Sequence, residues 1–272
     1  HAPRLGDPDA NIASIAVAAR TANADILLTP ELSVTGYDVR DAAAALALPL
    51  DSWPPAFEPL TDAPGMVVTG VIESDGNGLV YNAAIALQQG RVKHVHRKIY
   101  LPTYGMFDEM RYFARGRTVE PMAYHGWRVG ILVCEDFWHP GLIYTLASAG
   151  IDLLLVMAAG AGRGVWEGGS HGDFASTEAW TRIAETTAQQ YGMYVALANR
   201  VGVEGAVTFA GGSLIVGPTG EVLARGPSHE EAILHATLSR ASLLRARRPY
   251  FHGRDDEPSI VIRELTRLTQ HG

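Results

Sequence analysis

The sequence is short of several things that announce common functional classes. It has one cysteine, Cys134, in 272 residues. No internal disulfide can form and no paired-cysteine metal site exists, which fits a reducing cytoplasm. No stretch approaches the run of about 20 apolar residues that a membrane-spanning helix needs. The opening residues, His1 to Asp7, do not read as a secretion signal. Neither His-Glu-x-x-His nor Gly-x-x-x-x-Gly-Lys-Ser/Thr occurs, so the zincin and P-loop patterns are absent. Basic charge is also scarce: the formal net charge is -7, which argues against nucleic acid or an anionic membrane as partner. Repeats and low-complexity segments are missing too.

What remains is a composition 47% hydrophobic, enough for a large core, with no linker-like break. One domain over residues 1–272 is expected. Residues 9–21 carry Ile12, Ile15, Ala16 and Ala19 at helical spacing, and the short apolar run 26–28 reads as a buried strand. The chain enters almost directly into that first helix, so a strand preceding it is expected to be missing. The alanine-rich residues 42–48 read as helix. Residues 66–72, 79–87 and 92–96 read as strands, with Asp75-Gly76-Asn77-Gly78 as a hairpin turn. Residues 127–133 form another strand. Pro140 opens a helix that Gly150 stops. Residues 151–157 form a strand, and 177–191 an amphipathic helix ended by Gly192. Residues 194–198, 212–216, 221–224 and 233–237 complete the strands, with Pro218-Thr219-Gly220 as a turn. Interleaved helices and strands with short hairpins predict mixed sheets covered by helices.

Three residues stand at the ends of predicted strands in distinctive surroundings. Glu31 lies in Pro30-Glu31-Leu32-Ser33-Val34-Thr35-Gly36-Tyr37, Lys98 in Lys98-Ile99-Tyr100-Leu101-Pro102, and Cys134 in Val133-Cys134-Glu135-Asp136-Phe137-Trp138. Singly, each has a plain explanation: an inert buried thiol, a surface carboxylate, a solvated ammonium. Together they are the parts of an acyl-transfer site. A thiol between a strand and a helix N-terminus is placed to attack a carbonyl or nitrile carbon. A carboxylate can take its proton and return it to the leaving amine. An ammonium, with the Glu135 backbone N–H, can stabilise the oxyanion.

Other candidates weigh less. Gly160-Ala161-Gly162 after a strand invites a dinucleotide reading, but Val165 stands where the fingerprint needs glycine. His94 and His96 share a strand face, and His139 and His171 flank the cysteine motif. Their spacing makes no metal set, so no metal site is expected. Arg245, Arg247 and Arg248 read as a solvated helix end or a subunit contact. Trp127, Trp138 and Trp166 read as core or pocket walls.

The three motifs, in this order, resemble those of the nitrilase superfamily, the carbon–nitrogen hydrolases. So do the segments from Asn199 to Ser213, at Pro218-Thr219-Gly220, and from Arg254 to Leu265. The stretch from Lys98 to Phe113 and Cys134 to Trp138 is similar to the glutaminase domains of glutamine-dependent NAD synthetases. The resemblance implies an α/β fold, an α-β-β-α sandwich of two mixed sheets with helices on the outer faces, four-layered when dimerised. It implies a Glu31–Lys98–Cys134 triad and Glu109 as a second carboxylate orienting Lys98. Tyr37 and Tyr104 would line the pocket, and Glu135 would contact the polar end of the substrate. Trp138 would stand at the site, and Arg163, in the small-residue loop 158–164, could pair with a substrate carboxylate. The implied reaction is metal- and cofactor-free hydrolysis of a small carboxamide with ammonia release, by a homo-oligomer. Nitrilase or N-carbamoyl amidase activity, or ammonia supply to a separate synthetase partner, are the alternatives. No Ser-Gly-Gly-x-Asp-Ser pyrophosphate loop is present, so NAD synthesis is not expected of these residues.

Overall fold

A computed structural model of the chain describes residues 1–50, 55–164, 174–250, 253 and 255–270. Trp166, His171 and Arg254 lie outside them. The first helix, α1 (Pro8–Ala22), begins where the Asp7 carboxylate accepts the Ala10 N–H and Pro8 fills the first turn. Asn23, left-handed, ends it. The first sheet follows: β1 (Ile26–Leu28), β2 (Leu48–Pro49), β3 (Met66–Ser74), β4 (Val80–Gln88) and β5 (Arg91–Arg97). β1 and β2 both pair parallel with β3, while β4 joins β3 and β5 antiparallel. After the one-turn α2 (Glu109–Tyr112) come β6 (Met122–Tyr124), β7 (Trp127–Val133), α3 (Pro140–Ser148), β8 (Leu153–Ala158), α4 (Ala175–Tyr191) and β9 (Tyr194–Asn199). The hairpin β10 (Val201–Glu204) and β11 (Val207–Ala210) stands apart. β12 (Leu214–Val216), β13 (Val222–Arg225), α5 (Arg240–Tyr250) and α6 (Pro258–Thr269) finish the chain. The second sheet runs β13-β12-β9-β8-β7-β6, parallel through β7, β8 and β9 and antiparallel outside them.

The period-2 alternation of β3 and β4 sorts their side chains into two cores. Val67, Val71, Ala83, Ile85 and Leu87 pack against Ile12, Ile15, Ala16 and Ala19 of α1. Met66, Val68, Ala84 and Ala86 join the core of the second sheet, with Ile131, Leu155 and Val156. Ile143 and Leu146 of α3 and Trp180, Ala184 and Ala188 of α4 belong to the same core. The layers are therefore helix, sheet, sheet, helix. All four come from one chain, so dimerisation is not what completes them.

Two expected elements are absent. Residues 42–48 are not a helix. Only Arg40–Ala42 makes a tight 3-10 turn, and Ala43, Leu46 and Ala47 pack with Leu32, Ile72 and Leu101. The chain then straightens to pair with β3, and packing overrides alanine's helix preference. Residues 233–237 form neither helix nor strand and have no ladder partners among the described residues. They form one wall of a cleft of about 860 Å³ whose other wall includes β1, itself paired on one edge only. An apolar extended run becomes a strand only where a neighbouring backbone meets its N–H and C=O groups. None of Glu31, Lys98 and Cys134 lines this cleft. Arg247 also departs from expectation: it pins α5 to the second sheet, bonding Asp152 Oδ1 at 2.9 Å and the carbonyls of Ile151 and Gly192. Among the described residues, no helix is long and apolar enough to cross a membrane.

Candidate active site

Glu31 sits just past β1, where the chain must turn sharply over the sheet. Thr29 anchors the turn, its N–H donating to the Val68 carbonyl and its hydroxyl to Thr69. Gly70 makes room for it: a Cβ there would lie 2.3 Å from the Leu32 nitrogen. Lys98 follows β5, held by its N–H to the Asn82 carbonyl and its carbonyl to the Gly116 N–H, both at 2.8 Å. Cys134 follows β7 and starts a 3-10 turn through Trp138. Its φ of 48° is a left-handed conformation that a side-chain-bearing residue adopts only at a cost. The structure thus brings residues from the ends of strands in both sheets together.

Lys98 is at the centre. Its Nζ donates to Glu31 Oε1 and to Glu109 Oε1, 2.7 Å each, and it is fully buried. Glu31 accepts two further bonds: Asn82 Nδ2 to Oε1 at 2.8 Å and the Ala159 N–H to Oε2 at 3.0 Å. The Tyr37 hydroxyl donates to Glu109 Oε1, while Glu109 Oε2 is buried without a hydrogen-bond partner. Cys134 is 6% exposed, and the charges of Glu31, Lys98 and Glu109 act on its thiol.

The electrostatics follow from two carboxylates sharing one ammonium away from water. Burial alone would pull the Lys98 ammonium down. Glu109 and Glu31 outweigh it and hold it well above the ordinary lysine range. Burial pushes Glu109 up to about 7, with Lys98 opposing and the Glu31 charge adding to the rise. Burial, reinforced by Glu31, pushes the Cys134 thiol well above its usual range, against the pull of Lys98. Burial and the Glu31 charge both favour the neutral thiol over the thiolate.

The remaining expected residues lie further out. The Tyr104 hydroxyl donates to Glu135 Oε2 at 2.7 Å, and Tyr104 is half exposed. The Arg163 guanidinium lies against Gly105, 5.3 Å from the Phe107 ring centre and 6.0 Å from that of Tyr104. Tyr37 meets Phe107 and Phe209 edge-on. Trp138 packs edge-on against Trp180 and is two-fifths exposed. Two participants were missed from the sequence. Asn82 showed itself only as an amide within the apolar run of β4, and the Ala159 N–H belongs to the backbone. No cluster of histidine, cysteine, aspartate and glutamate that could hold a metal occurs among the described residues.

With this geometry in view, the comparisons are specific. The family model for carbon-nitrogen hydrolases matches residues 8–248. The glutamine-dependent NAD(+) synthetase of Thermotoga maritima is 32% identical over 262 residues, covering 91% of this chain and 43% of that protein. The solved glutamine-dependent NAD+ synthetase of Acinetobacter baumannii superposes with a TM-score of 0.74 at 28% identity, over 85% of this chain and 43% of its own. A variant of the amidase from Nesterenkonia sp. AN1 superposes with a TM-score of 0.73 at 28% identity, over 93% of this chain and 95% of its own. In that amidase, acrylamide has added to the active-site cysteine. The chain spans less than half the length of the synthetases it matches.

Proposed function

The chain belongs to the carbon–nitrogen hydrolase family, and from that premise we propose that it hydrolyses a carboxamide through a thioester on Cys134, releasing ammonia. The observation that carries this reading is the buried cluster in which Lys98 bonds Glu31 and Glu109 at 2.7 Å each, whose charges act on the buried Cys134 thiol. Glu31 takes the thiol proton as sulfur attacks the carbonyl carbon. Lys98 and the Glu135 N–H stabilise the oxyanion. The tetrahedral species collapses with cleavage of the C–N bond, and the proton held by Glu31 leaves on nitrogen as ammonia. Glu31 then activates water, which attacks the thioester carbon and releases the acid, and the proton returns to sulfur. Glu109 fixes the Lys98 ammonium, and its unpartnered Oε2 is an acceptor available to an amide N–H.

A narrower reading follows from the outer residues. Glu135, held by Tyr104, offers a carboxylate, and Arg163 a guanidinium against the same loop. Opposite charges on that side suit a primary carboxamide borne by an amino acid, such as glutamine. The relatives named for glutamine dependence support this choice, and with it the ammonia would serve a synthetase.

The test is intact-protein mass spectrometry with ammonia detection across simple amides, glutamine, nitriles and carbamoyl amino acids. An acyl adduct that vanishes in Cys134→Ala, formed with ammonia release, is the expected result, with glutamine among the best substrates. Adducts from nitriles or carbamoyl compounds alone would replace the amide reading. No adduct from any class would end the hydrolase reading of the isolated chain.

A further inference from the structure

We propose that Asp136 is a positioning residue that ties the Lys98 loop to the Cys134 turn, with His96 as its anchor. The inference rests on the amide-hydrolase reading of the same site. Lys98 and Cys134 belong to different sheets, and apolar packing between sheets sets no direction. A reacting pair must be held to a fraction of an ångström. The Asp136 carboxylate, fully buried, supplies directed bonds to both sides. Its Oδ1 accepts the N–H groups of Ile99 at 3.0 Å and Tyr100 at 2.9 Å, the two residues after Lys98. Its Oδ2 accepts the N–H of Val133 at 3.3 Å, the residue before Cys134. His96, two residues before Lys98 and 3% exposed, completes the set through Nε2 at 2.8 Å from Oδ2.

Every partner lies within two residues of the ammonium or the thiol. A second tie repeats the pattern, since the Tyr100 ring stacks on His139. Stability alone is a poor account of the carboxylate, because well-packed apolar residues replace buried ionic groups at little loss. A fixed register between two catalytic loops is what four converging donors add.

The test compares Asp136→Asn, His96→Gln and His96→Phe with the wild type. Each is checked for folding by circular dichroism, then for kcat, KM and the iodoacetamide alkylation rate of Cys134 at one pH. Asparagine keeps the Oδ1 bonds but turns an amide NH2, a donor, towards the Val133 N–H. Misplacement of about 1 Å costs on the order of 100-fold, so kcat should fall roughly 10- to 100-fold with KM within about threefold, and alkylation should change by a similar factor. His96→Phe should behave alike, whereas His96→Gln, which keeps an N–H donor, should stay within about threefold of wild type. Three results would overturn the proposal: folded Asp136→Asn and His96→Phe with wild-type kcat and alkylation, a rise in KM alone, or equal losses in both His96 variants. Alkylation needs no substrate, so it decides the positioning question even if the wild type turns over no amide, which would count against the hydrolase reading instead.

Discussion

Replacing Lys98 with methionine tests the electrostatic account most directly. Methionine keeps the length and apolar stem of the side chain and removes the charge. Glu31 and Glu109 each have an oxygen 2.7 Å from the lost nitrogen, so those oxygens are no farther apart than about 5 Å. At an effective dielectric of about 20, like charges at that separation repel by about 3 kcal/mol. Breaking a buried pair from one side typically costs about 3–5 kcal/mol in all. The folded variant can limit this cost by protonating one carboxylate. In the wild type, Glu109 already holds a proton up to about pH 7, so the variant's extra proton matters above that pH. A carboxylate whose folded pKa is raised contributes stability below its unfolded pKa and loses it as pH rises through the folded one. The penalty relative to wild type should therefore grow by about 1.4 kcal/mol per pH unit above pH 7. Urea unfolding at pH 7.0 and 8.5 should show a difference of about 2 kcal/mol between the two penalties. Equal penalties at both values would refute the idea that the two carboxylates share this charge. In the same variant kcat should drop at least about 100-fold, and a defect confined to KM would reject the oxyanion role.

Cys134→Ala should abolish turnover while leaving the melting temperature within a few degrees of wild type. Alanine is as poorly suited to a φ of 48° as cysteine, and the thiol adds little packing; surviving turnover would remove the nucleophile assignment. Glu31→Gln should slow the reaction by about 10²–10⁴ and slow alkylation of Cys134, and an unchanged alkylation rate would reject it as the base. Tyr37→Phe removes a hydrogen bond that lowers the Glu109 pKa. The acid limb of the kcat/KM profile, expected near pH 7, should move to higher pH, and a limb that stays in place would show that Glu109 does not set it.

The parts of the site carried by local sequence were readable in advance. Glu31 and Cys134 each follow a strand whose apolar run is visible, Lys98 follows the alternating strand β5, and the resemblance supplied Glu109. The strand over Trp127–Val133 was placed to the residue, because a buried strand ended by a turn leaves a clear pattern. What escaped was non-local. Residues 233–237 have strand composition, but pairing depends on what backbone lies alongside. Residues 42–48 have helix composition, but Ala43 and Leu46 are claimed by a small core around Leu32. The short hairpin of β10 and β11 was missed, although its Glu204 carboxylate accepts the N–H groups of Tyr37 and Asp38 and steadies the segment after Glu31. The Ala159 N–H, which bonds Glu31, carries no side-chain signal at all.

The resting state of Cys134 bears on how the protein meets oxidants. Peroxide reacts with thiolates, and the climb to sulfenic and then irreversible sulfinic acid begins only from the ionised sulfur. Burial and the neighbouring carboxylates favour the protonated thiol. Under the proposed mechanism, an arrangement that holds back ionisation until a carbon electrophile arrives also slows the sulfur's entry onto the oxidation ladder.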